Sequence, residues 1–561
     1  MRFPAALILA LFTLLATGPA RAAAEADLIL VNGQVITVDD QFRIVEALAV
    51  AGARIIATGT GKAMRALAGP RTKVLDLKGR TVIPGLIDNH NHFIRATQYW
   101  ASEARLDGVT SRQRALSLIR AKAAALPANA WVFSLGGWYE DQFTDAGGRG
   151  FSLQELDRAV PDRPLFLQAK YDHAYVNSAW LRAMDIPLVS DTPGEGLAAF
   201  VVRDAHGRAS GRLNGGFPMI ARAIARFPKV SEAEQRHGIE SAMAYYNAIG
   251  LTTVYDPGGL GIRDASYARI GDFAARRALS LRVFYTLWGS MTVKTPTGVP
   301  GIVAKIRANR PFQGNEWFDR IAFGEVYYPP FHWDSPVRLV HPTAADIEAA
   351  RAILSAAAGG GWPVQTHAIQ PANIDRIFDL MEEINRRHPL RALRWSITHA
   401  DNVGAAQIAR ARRLGVNFQI RSQKVIGGVA EIEAKFGPAA RHMPPLRLLQ
   451  DSGITFGLGT DGTKAAQINP FVTLWWAITG RMLNGAPVIA ETLSRREALI
   501  AHTRSNALMM FQENNLGALK PGLLADMLIL EEDYLGMPVD RIKDIRPAAT
   551  IVGGRLVSGA W

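Results

Sequence analysis

Val82-Ile83-Pro84-Gly85-Leu86-Ile87-Asp88-Asn89-His90-Asn91-His92 is an apolar, strand-like run that passes through Pro-Gly into a His-x-His pair. Side chains alternate faces along an extended chain, so residues two apart point the same way. Two imidazoles at that spacing can reach one metal ion together, and neutral imidazole is the commonest protein metal ligand. Alone the pair is weak evidence, because a bare His-x-His arises often by chance. Its weight comes from the residues further along the chain.

Downstream, apolar strand-like runs alternate with amphipathic helical patterns, which argues for a parallel sheet wrapped by helices. Predicted strands cover residues 82–87, 165–168, 252–255, 280–287, 320–323, 363–366, 394–398, 417–420 and 454–458, and predicted helices include 231–249, 344–358, 372–387 and 405–414. A βα barrel over residues 81–514 is the economical arrangement, with its site where strands end and loops begin. The stretch at about 95–229 is too long for one βα loop. It reads as an insertion over the barrel mouth with helices and a strand of its own. Both chain ends, 23–80 and 515–561, consist of short strand-like runs between turns such as Asn32-Gly33, Pro521-Gly522 and Gly553-Gly554, and are expected to build one satellite domain.

Composition narrows the class. A chain of 561 residues, 48% hydrophobic and 20% charged, can bury a large core and is unlike a disordered protein. Residues 1–22 combine Arg2, an apolar run from Ala5 to Ala16 and the small-residue segment Ala20-Arg21-Ala22, the parts of a secretory signal peptide. The apolar run is shorter than the ~20 residues that span a bilayer, so cleavage near Ala23, without a lasting membrane anchor, is expected. With zero cysteines there is neither a disulfide nor a thiolate ligand, so a metal must be held by His, carboxylate or modified Lys. A periplasmic or secreted location fits both features. The net charge of +13 comes from scattered basic residues, as in Arg410 to Arg413, that read as solvated helix faces and not as a nucleic-acid surface. A small-molecule substrate is the expected partner; a homo-oligomer is compatible with the sequence.

Five strand endings carry ligand-type side chains in chain order: His90 with His92, Glu325, His367, His399 and Asp461. In a barrel these ends converge on one mouth. Four imidazoles and two carboxylates suffice to hold one or two divalent cations, with a position left for water.

Together these segments resemble the amidohydrolase superfamily, in its amidohydrolase family 3 branch of YtcJ-like metal-dependent hydrolases. The resemblance covers nearly all of the mature chain. It rests on Pro84-Gly85-Leu86-Ile87-Asp88 before His90-Asn91-His92, Tyr171-Asp172-His173 before Asn177-Ser178, His367-Ala368-Ile369, Thr398-His399-Ala400, Thr460-Asp461-Gly462, Asn469-Pro470, and Leu519-Lys520-Pro521-Gly522-Leu523-Leu524-Ala525-Asp526. It implies an α/β fold: a distorted (β/α)8 TIM barrel with a small β-sandwich built from both termini. It also implies hydrolysis of C–N bonds other than peptide links. Carried over by position, His90 and His92 hold one metal, His367 and His399 a second, and Asp461 binds metal and moves protons. Zn suits His and carboxylate ligands best, with Mn, Fe, Co and Ni as alternatives.

One departure from the family pattern stands out. Many relatives place a carboxylated, metal-bridging Lys at the end of the fourth barrel strand, whereas residues 320–328 contain none and offer Glu325 in its place. Glu325 either bridges two metals or pairs with an Arg beside a single one. Asp172 and His173 either line the substrate pocket or fix a loop. Arg421 and Lys424 follow a predicted strand and either hold a substrate carboxylate or are exposed loop charges. Trp138, Tyr139, Trp475 and Trp476 either wall the pocket or belong to the core. His332 and His341 lie in a Pro-rich loop and receive no role. The sequence also admits the same site acting on an ester, lactone or carbamate, or a catalytically retired periplasmic binding protein.

Overall fold

The computed structural model describes residues 25–192, 194–289 and 291–561; the expected signal segment, 1–22, lies outside the described residues. Eight parallel strands organise the chain: β1 (Leu86–Asp88), β2 (Leu251–Asp256), β3 (Arg282–Trp288), β4 (Phe318–Gly324), β5 (Gln365–Ala368), β6 (Ser396–His399), β7 (Asn417–Arg421) and β8 (Phe456–Gly459). They form two four-stranded sheets, β4-β3-β2-β1 and β5-β6-β7-β8. An isolated parallel bridge, Phe323↔Val364, joins the β4 edge to the chain entering β5, and Asn91↔Gly462 joins the chain leaving β1 to the chain leaving β8.

Parallel neighbours need crossover connections, and helices provide them. Glu232–Ala248, Asp264–Ala275, Val299–Ala308, Ala344–Gly359, Pro371–Asn385, Ala405–Leu414 and Leu446–Ser452 fall between successive strands. In Pro371–Asn385 the buried Ile374, Ile377, Phe378, Met381 and Ile384 recur every three or four residues, the spacing of one helix face. Ala344–Gly359 starts on a capping box between Thr343 and Asp346. Every residue of β2 is buried, as expected of a strand covered on both faces.

The predicted strand over 82–87 is two strands. Thr81–Pro84 pairs antiparallel with Met527–Leu530, whereas Leu86–Asp88 pairs with β2. Gly85 makes the break: a Cβ there would lie 2.2 Å from Thr252 Oγ1, so only glycine lets the chain pass. Its N–H donates to the Asp526 carbonyl at 2.9 Å. The motif before the His pair is therefore stitched to the C-terminal segment.

Both chain ends meet in two sheets. One has the order Arg54–Gly59, Ala47–Ala51, Ala26–Val31, Ala68–Asp76; the other has Arg555–Gly559, Ala549–Val552, Met527–Leu530, Thr81–Pro84, Gln34–Ile36, Ile44–Val45. Leu28, Leu48 and Val50 from the first share one apolar cluster with Val82, Met527 and Ile529 from the second. Arg282 on β3 is fully buried and grips Asp526 with two hydrogen bonds, of 2.7 and 2.9 Å, tying the C-terminal segment to the central strands.

The segment between β1 and β2 is richer than expected. In place of a single strand it holds a five-stranded sheet ordered Val201–Arg203, Ala209–Asn214, His173–Val176, Leu165–Ala169, Val132–Leu135. Four of these strands lie outside the predicted run 165–168; in Ala209–Asn214 the polar residues Ser210, Arg212 and Asn214 leave no continuous apolar run. Among the described residues no helix is long and apolar enough to cross a membrane.

The close approach at Gly85 is directly testable. Gly85→Ala should lower stability by about 1–3 kcal/mol, seen as a lower melting temperature. An unchanged melting curve would show that the corner has slack.

Candidate metal centre

The six ligand-type residues lie where β1, β4, β5, β6 and β8 end. Glu325 directly follows β4, His367 is the third residue of β5, His399 ends β6, and Asp461 comes two residues after β8. All six are buried. The structure brings them into three overlapping groups: His90, His92 and Glu325; His90, His399 and Asp461; and Glu325, His367 and His399. His399 and Asp461 have left-handed backbones, with φ of 74° and 61°. Such conformations cost non-glycine residues about 1–3 kcal/mol each and gather at functional sites.

Glu325 sits at the centre. Its Oε1 lies 3.0 Å from His367 Nδ1 and 2.8 Å from His399 Nε2, while its Oε2 lies 3.4 Å from His90 Nε2. Asp461 Oδ1 lies 3.2 Å from His92 Nε2 and 3.7 Å from His90 Nε2. Donors 2.0–2.2 Å from a tetrahedral Zn stand about 3.3 Å apart, close to these separations. Both ring nitrogens of His90, and His399 Nδ1, are buried without a hydrogen-bond partner. Buried polar atoms are rarely left so unless something binds them. The donor set therefore fits a divalent cation.

Charge points the same way. Burial opposes ionisation of Glu325, yet the surrounding imidazoles hold its carboxyl well below the usual range. Asp461 is held low against burial by His92, His399, His90 and Arg421. Burial would lower His92 and His367, but the facing carboxylates push each up to about 9. His399 is driven down to about 3, by burial first and then by Arg421 and His367. The two carboxylates thus demand positive charge beside them.

A second layer orients these ligands, as metal sites require. His92 Nδ1–H donates to the Gly258 carbonyl at 2.7 Å, leaving Nε2 free. His367 Nε2–H donates to the Asp334 carbonyl at 2.9 Å, and the Asp334 carboxylate accepts from the Ile369 and Gln370 amides at 3.0 and 2.8 Å. His332, given no role from sequence, stacks on Tyr327 with ring centroids 4.1 Å apart and bonds the His367 carbonyl at 3.1 Å. Asp88 accepts from the His90 and Thr460 amides at 3.2 and 3.0 Å, locking the ends of β1 and β8 together. Asp334 was invisible in the sequence because it lies in an irregular segment with no period to mark it.

A cavity of about 600 Å³ opens beside the cluster, lined by His92, Glu325, His367, His399 and Asp461 and by the aromatic residues Tyr139, Tyr171, Phe217, Trp288 and Trp333. Asp172 and His173 also line it, Asp172 exposed and His173 held by Glu140 Oε1 at 2.5 Å. Arg421 and Lys424 are not exposed loop charges. Arg421 is buried between Asp461 Oδ2, at 3.0 Å, and Asp401 Oδ2, at 2.9 Å. Lys424 is buried and donates to the Ala440 carbonyl at 2.7 Å, away from this cavity. Of the four aromatics singled out, Tyr139 alone lines the cavity; Trp138, Trp475 and Trp476 are core residues. His341 is exposed.

Similar proteins support this reading of the fold. The chain is 24% identical over 552 residues to the N-substituted formamide deformylase of Arthrobacter pascens, covering 94% of this chain and 98% of that protein. It is 23% identical over 546 residues to the putative amidohydrolase YtcJ of Bacillus subtilis, with the same coverage. The crystal structure of an uncharacterized metal-dependent hydrolase from Pyrococcus furiosus superposes with a TM-score of 0.61 at 20% identity, over 91% of this chain and 99% of that one. The profile of the amidohydrolase family matches residues 73–558, nearly the whole described chain, and the chain belongs to that family.

Proposed function

We propose that this chain is an exported, metal-dependent amidohydrolase that cleaves a non-peptide C–N bond in a small amide, N-acyl or cyclic amide compound. Family membership makes it a hydrolase of such bonds. Export is inferred from residues 1–22 and the absence of cysteine. The fold reading is a distorted (β/α)8 barrel with a β-sandwich from both chain ends, supported by the bridges Phe323↔Val364 and Asn91↔Gly462 and by the apolar cluster that the two terminal sheets share.

One observation carries the site assignment: the two oxygens of Glu325 face different imidazoles, Oε2 towards His90 and Oε1 towards His367 and His399. In this reading His90 and His92 would hold one cation and His367 and His399 a second, with Glu325 as the carboxylate within reach of both, in place of the carboxylated Lys of many relatives. Zn is the metal these ligands suit best. A divalent cation bound there lowers the pKa of water and polarises the scissile carbonyl.

The chain's own residues do the rest. Asp461 takes the proton of the attacking water and passes it to the departing nitrogen, so that amide and water become acid and amine. Arg421, itself anchored by Asp401, holds Asp461 Oδ2 and leaves Oδ1 turned to the His90–His92 side. The aromatic wall takes the apolar body of the substrate and keeps water from it.

N-formyl and N-acetyl arylalkylamines are suitable probes, since one relative is named a deformylase of N-substituted formamides. The Zn-loaded protein should release the amine. Asp461→Asn should keep most of the metal and lose about 100- to 10,000-fold in turnover, whereas His90→Ala should lose metal and activity together. Near-normal turnover in the first variant, or equal metal content in both, would contradict the assigned roles. Asp334→Asn should retain the fold yet release metal to a chelator about 10- to 100-fold more readily; unchanged metal affinity would make Asp334 a loop anchor only.

A further inference from the structure

Of the described arginines, four are more than nine-tenths buried: Arg95, Arg112, Arg282 and Arg421. Three have carboxylate partners, Arg112 with Glu155, Arg282 with Asp526, and Arg421 with Asp401 and Asp461. Arg95 is the exception. Its Nη1 donates to the Tyr171 hydroxyl at 2.5 Å, and its Nη2 is buried with no partner. A guanidinium taken from water without an anion is costly. The missing anion is the feature to explain.

Position narrows the explanation. Arg95 lies on the short helix Phe93–Ala96, three residues after His92, and both line the same cavity. Their side chains meet at Gly259, where a Cβ would lie 3.3 Å from Arg95 Cδ and 3.4 Å from His92 Nδ1. Tyr171 accepts from Arg95 and so keeps its own O–H to donate. Its ring packs on Phe217, which packs on Trp333, so the aromatic wall begins at this pair. The buried Lys170, on the side of the inserted sheet, differs: its ammonium donates to the Gly427 carbonyl at 3.2 Å and lies over the Tyr139 ring.

We propose that Arg95, with the Tyr171 hydroxyl, receives a carboxylate of the substrate, making the centre selective for N-acyl amino acids with a large apolar side chain over the matching N-acyl amines. This deepens the amidohydrolase reading of the same site and rests on it. Guanidinium and carboxylate form charge-assisted hydrogen bonds, about twice as strong as neutral ones. The carboxylate beside the scissile nitrogen then fixes which face of the amide meets the metal ligands.

The test compares both enantiomers of N-acetylphenylalanine with N-acetyl-2-phenylethylamine, which lacks only the carboxylate. Hydrolysis and, by calorimetry, affinity are measured on the Zn-loaded protein. The acid should be favoured by about 10- to 100-fold, and the preference should collapse in Arg95→Gln and return in part in Arg95→Lys, with melting curves as the check on folding. Equal handling of both probes by the wild-type protein overturns the proposal without any variant. So does a preference that survives in a folded Arg95→Gln, since the carboxylate would then be held elsewhere. If neither probe is hydrolysed, the amidohydrolase reading fails for these amides. Affinity then decides the carboxylate site alone: a difference that depends on Arg95 supports it, and equal affinities end it.

Discussion

Glu325 and Asp461 are two carboxylates buried among four imidazoles, and the structure around them is organised to satisfy that charge. Isolated buried carboxylates are expensive enough that they normally take up a proton and become neutral. Here the neighbouring imidazoles hold both carboxyls below their usual range, with Arg421 added beside Asp461, and His92 and His367 are raised in return. Protons and a divalent cation are alternative ways to meet the same demand. The nitrogens of His90 and His399 that make no hydrogen bond favour the cation, because the carboxylates that face them stand at 3.4 to 3.9 Å, outside good hydrogen-bonding geometry.

The fold delivers these groups by a small number of fixed points. Gly85 lets the chain turn out of a terminal sheet into β1, and Asp88 then locks the end of β1 to Thr460 beyond β8. Arg282 and Asp526 bind the C-terminal segment to β3. The His pair and Asp461 are thereby set by contacts between residues hundreds of positions apart, and the strained backbones at His399 and Asp461 are held by the same surroundings. The inserted segment adds to the cavity lining through Tyr139, Tyr171 and Phe217.

The sequence revealed the parts that have a period or a motif. Buried parallel strands read as continuous apolar runs, and a ligand-type side chain just past such a run stands out, so His90, His92, Glu325, His367, His399 and Asp461 were all visible before their geometry was. Boundaries at Gly85 were not, because Pro84-Gly85 reads equally well as a turn or as a kink within one strand. The other strands of the insertion are short, and Ala209–Asn214 buries only Ala209, Gly211 and Leu213, of which Leu213 alone is a large apolar residue. Pairing was harder still. Arg421 looked like a free cation until Asp401 and Asp461 came to either side of it, and Asp334 and Arg95 acquire meaning only from what stands, or fails to stand, next to them in space.

The central claim is that Glu325 joins two cation sites in place of a carboxylated Lys. The direct measurement is elemental analysis of metal per chain, on protein purified without chelator and brought to equilibrium with Zn. The account predicts two equivalents in the native protein and a lower count in Glu325→Gln. A single equivalent, unchanged in Glu325→Gln, would contradict it and make Glu325 a partner for protonated imidazole, not for metal.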